Sequence, residues 1–303
     1  MKRRDFIKYY SLFLSSSYFF PFSLSAKNKS LNKKIIPSTK ESIPVIGMGT
    51  WISFNVGKNI RLRNQRTQVL KKFFEYGGGM IDSSPMYGSS EEVLGYALKK
   101  IGYPKGLFSA TKIWTPSTEK GKEQFKDSLK LWGLKKLDLE QVHNLVNYEE
   151  HLETLQKLKA EKRIRYIGVT TSHGRRHSEL KKVLKSKNID FVQLTYNMQN
   201  TDAEPLIELA QKNNIAVIAN RPYAGGGLIK NIQNKPLPKW SKDIDCTTWA
   251  DFLLKYIVSD PGVTCAIPAT TQVEHMQENM QAGIGKLPTP KQRQQMMSYF
   301  KSL

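Results

Sequence analysis

The chain has 303 residues, of which 39% are hydrophobic and 10% aromatic, so it can bury one large core and is not a disordered chain. Its formal net charge is +21, and such a field attracts polyanions. The lysines fall mostly on predicted helix faces without interleaved aromatics, which argues against specific nucleic-acid binding. Cys246 and Cys265 lack metal-like spacing, so no metal site is expected and a single disulfide stays open.

Residues 1–26 are predicted to be a signal peptide. A basic start at Lys2, Arg3 and Arg4 precedes an apolar, serine-rich stretch that is too short for a comfortable membrane span. Residues 3–8 resemble the twin-arginine export signal, so we expect a periplasmic or exported protein, with an uncleaved membrane anchor as the alternative. Residues 27–42, rich in Lys, Asn and Ser, are predicted to be a linker before a folded domain at 43–303.

The rest of the chain alternates short apolar runs with stretches of helical periodicity. The eight runs predicted to be strands are 45–51, 80–82, 107–113, 137–143, 166–171, 191–197, 216–220 and 264–268. The eight predicted helices are 64–76, 91–101, 120–132, 149–163, 175–186, 204–213, 248–259 and 273–281. This alternation favours the α/β class, as a (β/α)8 TIM barrel. A doubly wound sheet is the competitor, but it would want a GxGxxG fingerprint after the first strand, which is missing.

Residues 222–245 are longer than a normal loop and contain three consecutive glycines, Gly225, Gly226 and Gly227. Compact domains seldom hold such long connections without secondary structure. We therefore expect either a functional loop or a mobile one.

Four polar residues fall near the ends of the predicted strands. Asp82 ends the second strand, Tyr87 follows it, Lys112 lies near the end of the third, and His143 ends the fourth. Barrel enzymes carry their chemistry at this end of the barrel. Singly these residues have plainer explanations, as a turn cap, a surface charge and a buried ring. A lysine inside an apolar run needs a partner such as Asp82, and the cation is expected to lower the pKa of Tyr87.

Residues 81–91, together with Ala110-Thr111-Lys112 and residues 141–144, resemble the signature of the aldo-keto reductase superfamily. The resemblance extends essentially from residue 44 to residue 281. It implies that Tyr87 protonates a carbonyl oxygen while a reduced nicotinamide delivers hydride to the carbon. It also implies that Asp82 and Lys112 depress the pKa of Tyr87 and that His143 orients the substrate.

The same resemblance assigns residues to the cofactor. The implied set comprises Thr170, Thr171, Gln193, Asn220, Arg221, Thr270, His275, Glu278 and Asn279. Ala269 and His275 occupy positions where Lys and Arg often clamp the 2′-phosphate, so the charge pairing is weaker than usual for the family. NADP is the expected cofactor and NAD is the alternative.

Trp51 and Trp114 are expected to form an apolar wall around a small-molecule carbonyl substrate, although rim packing explains either ring equally well. An exported reductase also needs its cofactor recycled, by a second substrate or a redox partner. The alternative function is a non-catalytic nicotinamide-binding barrel that acts as a redox sensor or partner subunit.

Overall fold

The computed structural model describes residues 30–303, so the predicted signal peptide lies outside the described residues. The described part begins with an antiparallel hairpin of β1 (Lys33–Ile35) and β2 (Ser42–Pro44). Eight parallel strands follow, each paired with the next. Their bounds are β3 Met48–Gly49, β4 Met80–Asp82, β5 Phe108–Ile113, β6 Leu137–Val142, β7 Ile164–Thr170, β8 Phe191–Thr195, β9 Ala216–Asn220 and β10 Cys265–Ala266.

The sheet closes on itself between β10 and the residues that lead into β3. Ile46 forms a parallel bridge with Ala266, the Gly47 amide donates to the Ala266 carbonyl at 2.8 Å, and the Gly49 amide donates to the Pro268 carbonyl at 2.9 Å. Gly47 is required at this seam, because a Cβ there would lie 2.8 Å from the Met80 carbonyl oxygen. The predicted (β/α)8 barrel is confirmed, and each predicted strand overlaps one of β3–β10.

Helices cover the outside of the barrel. Their bounds are α1 Ile60–Glu75, α2 Ser90–Ile101, α3 Thr118–Trp132, α4 Tyr148–Ala160, α5 His177–Ser186, α6 Glu204–Lys212, α7 Gly227–Ile232, α8 Trp249–Val258, α9 Val273–Gln281 and α10 Pro290–Lys301. In α5 the buried residues are Leu180, Val183 and Leu184, at the spacing of three and four that puts side chains on one helix face. Within residues 30–303 no helix combines the length and apolar character that a membrane span needs.

The hairpin corrects the predicted linker at 27–42 over residues 30–42, the part of that segment that the structure describes. Ile36 and Ile43 are buried in the barrel interior, and the Lys34 ammonium donates to the Val263 carbonyl at 2.6 Å. The folded part therefore begins before the predicted boundary at residue 43. The apolar side chains outweigh the polar composition of this segment, because burying them against the barrel is favourable.

Aromatic rings fill the amino-terminal half of the barrel. Phe108 and Tyr166 stack with centroids 5.7 Å apart, and Tyr166 meets Phe191 edge-to-face at 5.4 Å. These rings and the hairpin close one end of the barrel. The open end is therefore the one where the strands finish, which is where the predicted polar residues lie.

The long stretch at 222–245 contains secondary structure. A 3-10 turn at Ala224–Gly226 leads into α7, and a second such turn covers Lys239–Ile244. Cys246 and Cys265 are both buried and unpaired, so the disulfide left open by the sequence is not formed. Burial raises the pKa of each thiol to about 12, so neither is a thiolate at neutral pH.

Candidate active site

A buried ion pair lies at the carboxyl ends of β4 and β5. The Lys112 ammonium nitrogen lies 2.6 Å from Asp82 Oδ2 and donates a second hydrogen bond of 2.6 Å to the Ser83 carbonyl. Both charged side chains are buried. Burial lowers the pKa of Lys112, whereas the Asp82 carboxylate and, after it, the neighbouring Tyr87 oxygen raise it, and the net pKa is raised. The lysine is therefore a fixed cation, as the sequence predicted from the need to pair a buried ammonium.

The second oxygen of Asp82 is held by two amides. Gln141 Nε2 donates to Asp82 Oδ1 at 3.0 Å, and Gln193 Nε2 donates to the same oxygen at 2.9 Å. Gln141 was missed by the sequence prediction, although it lies at an inward-facing position of β6 beside Lys112 in the β5 register. Gln193, expected to bind the nicotinamide, also contributes to this network. Both amides bind Oδ1, and Oδ2 is the oxygen that faces Lys112.

Tyr87 ends a 3-10 turn, Pro85–Tyr87, directly after β4. The Lys112 ammonium lies 5.1 Å from the centroid of the Tyr87 ring. Burial raises the pKa of the Tyr87 hydroxyl and the Lys112 charge opposes this, with the net result that the pKa lies above its usual value. The expected depression of the Tyr87 pKa is therefore wrong for this structure, because desolvation of the phenolate outweighs the attraction of the cation. The phenol keeps its proton at neutral pH.

His143 follows β6 and faces the Tyr87 ring edge-on, with the two centroids 5.9 Å apart. Its Nδ1 lies 3.0 Å from the Ser84 hydroxyl oxygen. Burial, followed by repulsion from Lys112, lowers the pKa of His143 to about 3. The imidazole is therefore neutral across the physiological range and can donate one hydrogen bond and accept another.

A cavity of about 440 Å³ opens above these groups. Ten of the residues assigned from the sequence line it, while Lys112 lies beneath it as the buried partner of Asp82. The ten are Trp51, Asp82, Tyr87, His143, Thr170, Thr171, Gln193, Asn220, Arg221 and Thr270. The Trp114 ring lies outside this lining, with its centroid 6.5 Å from that of His143. The residues are brought together from seven strand ends of the barrel.

Asn220 and Arg221 end and follow β9 on the far side of the cavity. Asn220 accepts from the Thr195 hydroxyl at 2.7 Å and donates to the Thr171 carbonyl at 3.0 Å, so its amide is oriented by the protein itself. Arg221 has a positive φ of 50°. Its guanidinium carbon lies 5.5 Å from the centroid of the Trp51 ring. The side chains of Arg221 and Trp51 therefore meet across the opening of the cavity.

The residues assigned to the adenosine end are only partly brought to the cavity. Thr270 lines it, and Asn279 is connected to it by accepting a hydrogen bond of 2.7 Å from the hydroxyl of Tyr223, a lining residue. Glu278 instead lines a second cavity of about 390 Å³ beside α7 and α8. His275 is exposed on α9.

The fold and the site define a (β/α)8-barrel enzyme, with a buried ion pair, a neutral phenol and a neutral imidazole grouped at the carboxyl ends of its strands. The chain belongs to the aldo/keto reductase family, whose sequence pattern matches residues 45–297.

Individual relatives agree with this membership. The chain is 27% identical over 245 residues to the methylglyoxal reductase YeaE of Escherichia coli, covering 78% of this chain and 84% of that protein. It is 24% identical over 312 residues to the uncharacterized oxidoreductase YqkF of Bacillus subtilis, covering 89% and 97%. These relatives are matched over most of their length.

Solved structures show the same fold. The aldo/keto reductase of Klebsiella pneumoniae, in complex with NADP and acetate, superposes with a TM-score of 0.75 at 23% identity, covering 89% of this chain and 96% of that one. A thermostable aldo-keto reductase in complex with the inhibitor epalrestat superposes with a TM-score of 0.71 at 26% identity, covering 88% and 99%.

Proposed function

We propose that this enzyme reduces an aldehyde or ketone to an alcohol with NADPH, and that Tyr87 donates the proton. The observation that carries the proposal is the neutral Tyr87 phenol at the cavity, 5.1 Å by its ring centroid from a buried ammonium. A methylglyoxal reductase among the relatives and an NADP complex among the structural neighbours support the reaction and the cofactor.

The cavity residues fit a dinucleotide. Thr170, Thr171 and Gln193 offer hydroxyl and amide groups for a carboxamide, while Arg221 offers a cation for a pyrophosphate. The buried Ser53 hydroxyl lines the same cavity without a hydrogen-bond partner among the described residues, and such a group calls for a polar ligand. When bound, the cofactor supplies a hydride to the carbonyl carbon.

The side chains of the protein supply the proton and stabilise the charge that its transfer leaves behind. The phenol of Tyr87 and the imidazole of His143 can both donate to a carbonyl oxygen, which holds the carbonyl in place and stabilises negative charge as it develops there. When the proton leaves Tyr87, the Lys112 ammonium stabilises the phenolate, and Asp82 keeps that ammonium in position. The raised pKa of Tyr87 suits a donor, because the group is fully protonated before the reaction.

The test compares wild type with Tyr87→Phe, using methylglyoxal and a simple aromatic aldehyde as probe substrates. We expect the variant to lose about 10²- to 10⁴-fold in kcat/KM, the range for a general acid. The Kd for NADPH should change by less than about threefold, because the phenol acts on the carbonyl and not on the dinucleotide. Unchanged turnover would remove Tyr87 from the mechanism. A wild type that binds NADPH but reduces no carbonyl would favour the non-catalytic nicotinamide-binding barrel.

We also propose that the protein is exported in folded form with its cofactor bound, and that a second substrate or a redox partner regenerates the reduced cofactor. The support is the resemblance of residues 3–8 to a twin-arginine signal. Native protein should then carry nicotinamide after purification, measured by absorbance and mass spectrometry of the released dinucleotide. Export of an empty protein with no affinity for either dinucleotide would contradict this.

A further inference from the structure

Arg66, in the second turn of α1, is a buried guanidinium without a carboxylate partner. The residue is 6% exposed, and burial lowers its pKa. Its guanidinium donates to the Ser53 carbonyl, to the Thr271 carbonyl at 3.3 Å and to Gln65 Oε1 at 2.9 Å. All three acceptors are neutral, and within residues 30–303 no Asp or Glu forms an ion pair with it. An uncompensated buried cation is costly unless an anion comes to it.

The guanidinium lies behind one wall of the main cavity, where it holds two of the lining segments. Ser53 and Thr271, whose carbonyls it holds, both line that cavity. The Ser53 hydroxyl is buried and has no hydrogen-bond partner among the described residues. The helix α9 begins at Val273, and its N-cap residue Gln272 makes no side-chain capping bond. A cation, a helix amino terminus and an unsatisfied hydroxyl therefore converge on this wall, and all three can bind a phosphate.

We propose that Arg66 binds the 2′-phosphate of NADP and makes the site prefer NADP to NAD. The inference rests on the proposed function, since it deepens the assignment of the cofactor. Gln65 is exposed, so its side-chain oxygen can swing away and leave Nη1 of Arg66 to a phosphate oxygen. Ala269, at the same cavity, carries no charge to serve that phosphate. The cation that we assign to this phosphate, Arg66, instead comes from α1. The sequence motifs at the strand ends do not include this helix.

Binding of NADPH and NADH to purified protein, by titration calorimetry, tests the assignment without turnover. Arg66→Met should weaken NADPH binding about tenfold to a hundredfold, the worth of one or two hydrogen bonds to a charged group, and leave NADH binding within about twofold. Arg61→Met, on the same helix but exposed, is the matched control and should change neither. The fragments 2′,5′-ADP and 5′-AMP should reproduce the contrast without the nicotinamide.

A second variant covers the case in which Arg66→Met does not fold. Gln65→Glu keeps the arginine and places a carboxylate beside it on an exposed residue, so it should weaken NADPH about tenfold and spare NADH.

Equal losses for both dinucleotides would overturn the assignment, because they would show that Arg66 only holds the segments of Ser53 and Thr271 in place. Unchanged NADPH binding in both variants would overturn it as well. A wild type that binds neither dinucleotide would refute the proposed function and the Arg66 assignment together.

Discussion

Lys112 and Asp82 form an ion pair of 2.6 Å in which neither side chain has meaningful access to water. Asp82 also accepts from two glutamines, so the pair belongs to a network whose members are mutually satisfied. In such a network, removal of one charge leaves the other buried and unpaired, which costs more than removal of both.

Lys112→Met should therefore lower the free energy of unfolding by about 3–5 kcal/mol, because the Asp82 carboxylate loses its cation. The double variant Lys112→Met with Asp82→Asn should recover more than half of that loss, while carbonyl reduction stays lost in both. Urea unfolding at neutral pH measures the difference. Equal stability of the single and double variants would mean that the charge of Asp82 is not what the lysine compensates.

His143 should make folding sensitive to acid. Its folded-state pKa of about 3 lies below the ordinary value of 6.5, so between these values the unfolded chain binds a proton that the folded protein does not. Stability contributed by the neutral imidazole is therefore lost as the pH falls below 6.5. His143→Gln should reduce the stability lost between pH 6.5 and 5 by about 2 kcal/mol, measured by urea unfolding at both pH values. His275→Gln, an exposed site, is the control, and an equal effect there would exclude His143 as the cause.

Glu140 should make folding sensitive to base. The side chain is buried on β6, neither carboxyl oxygen has a hydrogen-bond partner among the described residues, and burial, then repulsion from Glu91, raises its pKa well above the usual value despite the attraction of Lys112. The folded protein therefore keeps a proton that the unfolded chain releases, and stability falls as pH rises from about 4.5 toward the folded-state pKa.

Glu140→Met should remove that slope and raise the free energy of unfolding at pH 7 by about 1–3 kcal/mol, because an unsatisfied polar group no longer has to be buried. The exposed Glu153→Met serves as control. Unfolding curves between pH 5 and 9 provide the comparison, and a slope that persists in Glu140→Met would assign it to another group.

The contrast between Lys112 and Lys34 shows what could be predicted from the sequence. Lys112 stands inside an apolar run, so its burial and its need for Asp82 followed from local pattern alone. Lys34 stands in a polar segment that looked like a linker, and its acceptors are carbonyls of Asp260 and Val263, more than 220 residues away. The alternation of strands and helices predicts the barrel. The local hydrophobic periodicity of a segment does not indicate which distant segment it will contact.

The candidate active site likewise combines features that could be predicted from the sequence with features that could not. The four strand-end residues were predictable because each lies beside a recognisable apolar run, and the structure groups them. The direction of the shift in the Tyr87 pKa could not be predicted in this way. It depends on whether burial, which raises the pKa, outweighs the Lys112 charge, which lowers it. The position of Gln141 beside Lys112 could not be predicted either, because it depends on the register of β5 and β6.

Export is tested through Arg3 and Arg4, which lie outside the described residues. Replacing both with lysine keeps the charge but removes the paired arginines that the export signal requires. We expect the variant to accumulate in the cytoplasm while the wild type reaches the periplasm or the medium, measured by fractionation and immunoblotting. Identical distributions would contradict the twin-arginine assignment, and recovery of both with the membrane fraction would favour the uncleaved anchor.

The contact between Arg221 and Trp51 should slow the release of the cofactor. The strand β10 lies between β9 and β3, so a contact from the end of β9 to the loop after β3 crosses above the end of β10, where Ala269 and Thr270 line the cavity. The contact would therefore restrict the exit of a dinucleotide held by the residues at that strand end. Because a half-exposed cation–π contact contributes about 0.5–1 kcal/mol, Trp51→Leu should raise the dissociation rate constant of NADPH about two- to fivefold.

Stopped-flow displacement of NADPH measures this rate. Trp114→Leu is the matched control, because that indole is exposed to a similar extent, 43% against 42%, but its ring contact is with His143 and not with Arg221. Arg221→Lys should behave like Trp51→Leu if stacking rather than charge holds the contact, since an ammonium keeps the charge but loses the flat guanidinium face. Equal rates in the two tryptophan variants would show that the mouth is closed by bulk alone and that the pairing of Arg221 with Trp51 has no part in retaining the cofactor.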